Sequence, residues 1–450
     1  MFSQIANFFK TGPDAPECKM SSDELNKTFK FRRFSVFIGI TLGYGFFYVT
    51  RLAMSVVKKP MLDAGVLDAE QLGKIGAILL TVYAVGKFMN GVLADRCNIK
   101  RFMSAGLMIS ALINLAMGFN TNFWVFFVLW GMNGWFQAMG AAPSVVCLSQ
   151  WFGKKERGTY YGIWYVSHSI GEAITFIFTA IVVSHFGWRY GFATSGILGL
   201  TMGIVLLFLL ADRPQTFGLP CIAEYKNEAL PDESHESMTL LQQQLLALKY
   251  PAVWILGLAS ALTYVARYGV NSWGILYLQE IKRYSLIDAG AIMGVAPLVG
   301  IAGGALSGFI SDRFFGRNRH KTTLLYGLLQ VSSLAVFFFG PPGHRWLDVA
   351  SIAVFGFAVA GTVAFLGGLT AIDLTPRRVT GAVMGFIGFF SYLGASAQDW
   401  ISGYFLKKNI VVVNGVDVYN FDTVIYIWMG AAVLSLLLAM TVWNVKPRED

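Results

Sequence analysis

Charge is scarce in this sequence. Asp, Glu, Lys and Arg make up 14% of its 450 residues, where soluble domains carry about 25%. That scarcity excludes a globule of this size with a solvated surface. The chain needs an apolar solvent around most of its belt, which means a bilayer. Cysteine is also scarce: Cys18, Cys97, Cys147 and Cys221 are scattered with no paired spacing, which excludes a disulfide framework and a thiolate metal site. Residues 1–30 are polar and lack an apolar core followed by a small-residue cleavage site, which excludes a cleavable signal peptide. Apolar/polar alternation over about ten residues is missing too, which excludes a transmembrane β-barrel.

Long apolar runs are what the chain has in quantity. Hydrophobic residues make up 55%, with 48 Gly and 37 Phe; glycine is common in membrane helices because it lets backbones approach closely. A spanning helix needs about 20 mostly apolar residues. About twelve such stretches fit, near 34–56, 72–93, 102–119, 123–147, 160–184 and 189–210, then 252–277, 287–311, 322–340, 347–369, 381–405 and 424–443. Between the two sets lies a polar stretch, 211–250, with Pro214, Pro220, Pro231 and the run Asp232 to Glu236. The expected organisation is a segment 1–30, a six-helix bundle 31–210, a linker 211–250, a second six-helix bundle 251–443 and a tail 444–450.

The net charge of +9 sits in short loops, so it reads as a topology signal rather than a nucleic-acid surface. One side carries Arg96, Lys100, Arg101, Lys154, Lys155, Arg157, Arg313, Arg317, Arg319, Lys321, Arg377 and Arg378, with Arg32, Arg33, Lys446 and Arg448 at the ends. The other has fewer, such as Lys58, Lys59, Lys282, Arg283, Lys407 and Lys408. The bias puts both termini in the cytoplasm; the expected setting is a bacterial inner membrane.

The two sets of spans repeat one another. Tyr48-Val49-Thr50-Arg51 in the first span recurs as Tyr264-Val265-Ala266-Arg267 in the seventh. Asp95-Arg96 after the second recurs as Asp312-Arg313 after the eighth. Arg157-Gly158 before the fifth is matched by Arg378 to Gly381 before the eleventh. Three landmarks in one order at nearly one offset mark a tandem repeat. Parallel halves related by an axis along the membrane normal describe the major facilitator fold, an all-α membrane architecture of two six-helix bundles with pseudo-two-fold symmetry. Helix capping and topology alone are the competing explanation of the loop pairs.

Three cations fall within spans: Arg51, Lys87 and Arg267. A charge at the bilayer centre costs about 2.5–3.5 kcal/mol on insertion scales, so each needs a partner or a watery cavity. Glu172 and Asp399 are the main intramembrane acids, and Glu172 shares a helix face with His168 four residues earlier. The uncompensated excess is positive, which points to an anionic ligand. Tyr44, Tyr48 and Arg51 lie on one face of the first span; Ser260, Tyr264 and Arg267 repeat that face on the seventh. Tyr83 stacks with Lys87, and Trp164 with His168. Two guanidiniums across a two-fold axis make a clamp for a tetrahedral dianion, since the planar Arg fork pairs with phosphate oxygens. The competing readings are Arg51 and Lys87 snorkelling to an interface, His168 as an ordinary hydrogen-bonded histidine, and the tyrosines as packing.

At these residues the chain resembles the organophosphate:inorganic-phosphate antiporters of the major facilitator superfamily. The likeness runs from about residue 27 to 443. It is carried by Gly43-Tyr44, Tyr48 to Arg51, Tyr83 to Phe88, Ala94 to Asn98, Gly134-Trp135-Phe136-Gln137, Glu156-Arg157-Gly158, Pro214-Gln215, Gly218-Leu219-Pro220, Tyr264 to Gly269 and Tyr392-Leu393-Gly394. The resemblance implies that Arg51 and Arg267 grip the substrate phosphate and that Lys87 and His168 shape the site. Tyr44, Tyr48, Tyr83, Trp164, Tyr264, Asn271 and Tyr392 are the expected lining. It also implies rocker-switch exchange of an organophosphate for inorganic phosphate by a monomer, with no cofactor and no metal. The family pattern is altered at Tyr165, Ser169, Ser272, Gly361-Thr362, Met384, Ile387 and Ala142-Pro143, so the part that reads the organic group differs. The stretch from Gly388 to Ser396 is more similar to the hexose-phosphate receptor branch, which favours a hexose 6-phosphate over glycerol 3-phosphate or phosphoglycerate. A membrane sensor of external sugar phosphate is the main rival. An integral-membrane enzyme is remote, because no nucleophile–base pair or metal cluster is visible. A proton-coupled carrier of another major facilitator family would call for more intramembrane acids.

Overall fold

The computed structural model describes residues 7–16, 20–228, 240–316, 318–370, 379–413 and 416–442. Arg317, Arg377, Arg378, Lys446 and Arg448, all counted in the charge bias, lie outside the described residues, as do Cys18, Pro231, the run Asp232 to Glu236 and the tail 444–450.

The apolar runs become helices, six of them started by a polar side chain that caps the first turn. In chain order they are α1 (Ser22–Asp63), α2 (Ala69–Ala94), α3 (Ile99–Gly118), α4 (Phe123–Gln137), α5 (Ala141–Trp151), α6 (Lys154–Phe186) and α7 (Trp188–Leu209). The linker holds the short α8 (Ile222–Tyr225) and α9 (Leu240–Ala247). The second half is α10 (Pro251–Glu280), α11 (Leu286–Phe314), α12 (Arg319–Phe339), α13 (Arg345–Ala364), α14 (Thr380–Lys408) and α15 (Asp422–Thr441). Ser21 and Asp68 open α1 and α2 as reciprocal capping boxes with Glu24 and Gln71, which satisfies backbone donors that the helices cannot pair themselves.

Eleven described helices are long and apolar enough to cross a membrane. The expected fourth span, 123–147, is instead two pieces, α4 and α5, separated by Ala138 to Gly140. The interruption has a local cause. Gly140 packs so closely on the ring of Phe47 that a Cβ would lie 2.9 Å from it. Pro143 then falls in the first turn of α5, where its missing N–H is harmless. The tenth span is interrupted at a comparable place, by a π-helical turn at Phe365–Leu369. The first helix runs unbroken from Ser22 to Asp63. A hairpin was not expected. Strands β1 (Ile410–Val413) and β2 (Val416–Tyr419) pair antiparallel between α14 and α15.

The two halves close on each other at the end farthest from the linker. There α2 meets α14 backbone to backbone: a Cβ on Gly73 would fall 2.9 Å from the Gly403 Cα, and one on Gly290 of α11 would fall 2.5 Å from the Phe176 carbonyl of α6. Thr81 and Ser396 join their hydroxyls at 2.7 Å, and Ser396 donates to the Ala77 carbonyl at 2.8 Å. Ion pairs reinforce this end: Lys59 with Glu280 at 2.5 Å, and Lys407 with Asp68 and Glu70 at 3.1 Å each.

Candidate functional site

Between the halves lies a cavity of about 650 Å³, bounded by α2, α6, α10, α11, α13 and α14. Its wall carries Lys87, His168, Glu172, Tyr264, Arg267 and Asn271. It extends past Lys87, Tyr161, Gly367 and Met384 toward the linker end. Of the residues expected at the site, five therefore line this cavity: Lys87, His168, Tyr264, Arg267 and Asn271. Glu172 joins them on the face it shares with His168.

Arg51 sits just behind this wall. It lines a second, small cavity of about 40 Å³ with Lys58, Tyr268, Asn271 and Asp399, so Asn271 borders both spaces. The Arg51 guanidinium is buried and stacks 4.1 Å from the Tyr83 ring centroid and 4.7 Å from that of Tyr48. Its Nε donates to Gln137 Oε1 at 3.2 Å. Its Nη1 and Nη2 are buried and make no hydrogen bond. Arg267 is placed in a related way, 5.6 Å from Tyr264 and 5.9 Å from Tyr268, while Lys87 Nζ lies 5.3 Å from Tyr392. Cations held over aromatic faces gain electrostatic support from the ring quadrupoles without being neutralised.

The tyrosines form a continuous cage. Tyr83 and Tyr392 meet across the halves at 4.6 Å, and Tyr392 contacts Tyr264 at 5.4 Å. Tyr44 stacks on Trp164 at 4.7 Å, and Tyr48 lies 5.2 Å from His168. The Trp164 indole N–H is another buried donor with no hydrogen bond. His168 directs Nδ1 at the Tyr165 carbonyl, so that nitrogen carries a proton, and Nε2 lies 3.4 Å from Ser169 Oγ.

Three residues at the site escaped the sequence reading. Gln137 was noted only as part of a landmark; it anchors Arg51 from the last turn of α4. It also donates to Thr50 Oγ1 and Ser110 Oγ, both at 2.8 Å, a buried network that fixes the Arg51 turn of α1. Tyr268 was legible in principle, four residues after Tyr264 on one helix face. Lys58 was assigned to an outer loop and is instead fully buried within α1. It donates to Ser272 Oγ at 2.6 Å, lies 3.5 Å from Asp399 Oδ1, and sits 3.5 Å from the Trp273 ring centroid. Asp399 also accepts from Ser272 Oγ at 2.7 Å and Trp273 Nε1 at 2.6 Å. Lys282, likewise placed in an outer loop, is buried and paired with Asp348 at 3.3 Å.

A cavity walled by cations between two repeated helical halves is the arrangement of a carrier, and the comparisons agree. Residues 36–398 match the sequence profile of the Major Facilitator Superfamily. The chain belongs to the Major Facilitator Superfamily. Among its relatives, the membrane sensor protein UhpC of Salmonella typhimurium is 32% identical, covering 88% of this chain and 90% of its own. A probable hexose phosphate transport protein of Chlamydia pneumoniae is also 32% identical, with 94% of each chain covered. The glycerol-3-phosphate transporter of Bacillus subtilis is 30% identical over 99% of this chain and all of its own. Two of these three relatives are named as transporters of phosphate esters and one as a sensor; the family is one of transporters rather than enzymes. The solved structure of a bacterial homologue of the lysosomal transporter Spinster matches the fold with TM-score 0.68 at 16% identity, covering 91% of this chain and 95% of that one. The nucleoside transporter NupG matches with TM-score 0.69, also at 16% identity, covering 89% and 99%.

Proposed function

We propose that this protein exchanges a phosphate ester for inorganic phosphate across a bacterial inner membrane, by rocking its two halves about the site between them. The observation that carries the reading is the Arg51 guanidinium, buried with two unpaired nitrogens. A buried charge without a partner costs several kcal/mol, and such a cost persists where a ligand supplies the missing counter-charge. A phosphate offers paired acceptor oxygens in the geometry that a guanidinium fork prefers. Arg267 and Lys87 stand on the adjoining cavity wall, so a dianion drawn between the two spaces meets three cations. Its binding would pull the α1 and α10 arginines together and lower the barrier to rocking; an empty site would leave the cations repelling one another. That asymmetry favours exchange over unaccompanied movement.

With both termini cytoplasmic, the linker end faces the cytoplasm and the closed far end faces outward, which makes this the inward-open arrangement. One chain holds a whole site, so the carrier works as a monomer. The likeness to hexose-phosphate proteins favours a hexose 6-phosphate, with glycerol 3-phosphate as the alternative.

The test is uptake of labelled glucose 6-phosphate and glycerol 3-phosphate into liposomes loaded with inorganic phosphate. Uptake that needs internal phosphate and fails in R51K and R267K supports the antiporter. The likeness to UhpC favours a second reading, a membrane sensor; binding of an ester with no exchange of any kind would establish that instead.

A further inference from the structure

Among the described residues that line the main cavity, Glu172 is the one acid. It is buried on α6 of the first half and reaches across to α10 of the second, where its Oε1 accepts from Asn271 Nδ2 at 2.6 Å. Asn271 lies one helical turn beyond Arg267, so the amide that holds Glu172 and the guanidinium share a face. A carboxylate offers about four lone-pair sites, and the amide takes one. The remaining capacity, on a group that opens to the cavity, suits donors brought by a ligand.

The charges give this position a selective role. At the two adjoining spaces Lys58 and Asp399 cancel as an ion pair, Arg51, Lys87 and Arg267 supply three further positive charges, and Glu172 subtracts one. With His168 neutral the balance is two positive charges, which a phosphate dianion with an uncharged organic group fills completely. An ester that also bears a carboxylate would bring a third negative charge into a cavity that already holds Glu172. Like charges in a partly desolvated site repel far more strongly than in water. Hydroxyl groups, by contrast, donate to a carboxylate and form the stronger, charge-assisted kind of hydrogen bond.

We infer that Glu172, positioned by Asn271, selects the organic half of the substrate: the carrier takes phosphate esters of uncharged polyols and rejects those that carry a carboxylate. The inference rests on the phosphate-ester reading above and narrows it to one chemical class.

The experiment is exchange of labelled inorganic phosphate in proteoliposomes, inhibited by glucose 6-phosphate, glycerol 3-phosphate or 3-phosphoglycerate. The wild-type protein is expected to need at least about tenfold more 3-phosphoglycerate than glucose 6-phosphate for half-inhibition, a tenfold ratio being about 1.4 kcal/mol. E172Q is expected to shrink that ratio toward one, and E172D to keep it. Where a variant loses exchange, the same ratio is read from thermal stabilisation of the purified protein by each ester. Equal inhibition of the wild type by both esters would overturn the inference, and so would an unchanged ratio in E172Q. In either case phosphate exchange itself would stand. Absence of wild-type phosphate exchange and of any stabilisation by phosphate would overturn the phosphate reading along with it.

Discussion

Lys58→Met tests how the far end is held shut. Lys58 and Asp399 belong to opposite halves and meet where both are buried, 1% and 4% exposed in their side chains. Gly76 makes room for the pair, since a Cβ there would fall 1.8 Å from Asp399 Oδ2. Removing one partner of a buried pair costs about 3–5 kcal/mol, because the other charge is left without compensation. Ser272 and Trp273 would still donate to Asp399, so the lower figure applies, about 3 kcal/mol. Once the halves part at this end both residues reach water and the pair is worth little. K58M therefore shifts the equilibrium toward the far-end-open arrangement by about 100-fold, at roughly 1.4 kcal/mol per decade. Spin labels on Ala64→Cys and Lys408→Cys, exposed at that end on opposite halves, report it as a longer distance in a background without native cysteines. Replacing both charges with apolar residues, K58M with D399L, removes the buried charge and is often neutral, so the short distance should return. A K58M distribution identical to wild type would refute the charge latch. A double variant as open as K58M would show that packing, not charge, holds the end.

Other outcomes follow from the same geometry. Arg51→Met removes an unpaired buried charge, so it should raise the unfolding temperature of the unliganded protein while abolishing stabilisation by phosphate; a guanidinium that merely supports the fold would give the opposite. Gln137→Leu strips Arg51 Nε of its acceptor; a buried hydrogen bond to a charge is worth about 1.5–3 kcal/mol, so phosphate affinity measured by thermal shift should fall about tenfold or more. Gly73→Val would drive a side chain into the Asp399 carbonyl, 2.5 Å from its Cβ. Overpacking of this kind costs about 1–3 kcal/mol, and exchange should slow because the far end no longer closes, with binding by thermal shift retained.

The solvent, the helices and the repeat follow from the order of the amino acids alone. Apolar runs of spanning length admit one environment, and a backbone in lipid must pair its own hydrogen bonds, which leaves helices as the solution. The doubling of Tyr48 to Arg51 as Tyr264 to Arg267, at one offset with the Asp-Arg pairs, is visible without coordinates. So is the surplus of intramembrane cations, and helical spacing put Tyr44, Tyr48 and Arg51 on one face.

The tertiary structure decided which charges stay unpaired. Lys58 lies only seven residues beyond Arg51, near the end of an apolar run, and reads as a loop residue. Only the docking of α14 against α1 and α2 brings Asp399 to it, from 341 positions away, and so engages that acid with Lys58 rather than with Arg51. The approach of α10 to α6 decides that Asn271 of one half holds Glu172 of the other, a contact between residues 99 positions apart. Gln137 sits in the last turn of α4 under Arg51, and the run 123–147, mostly apolar, carries no periodic signal for the break that follows it. Partners of this kind depend on how two bundles meet. Spacing along one helix is local, whereas a buried ion pair is a property of the interface that desolvates it.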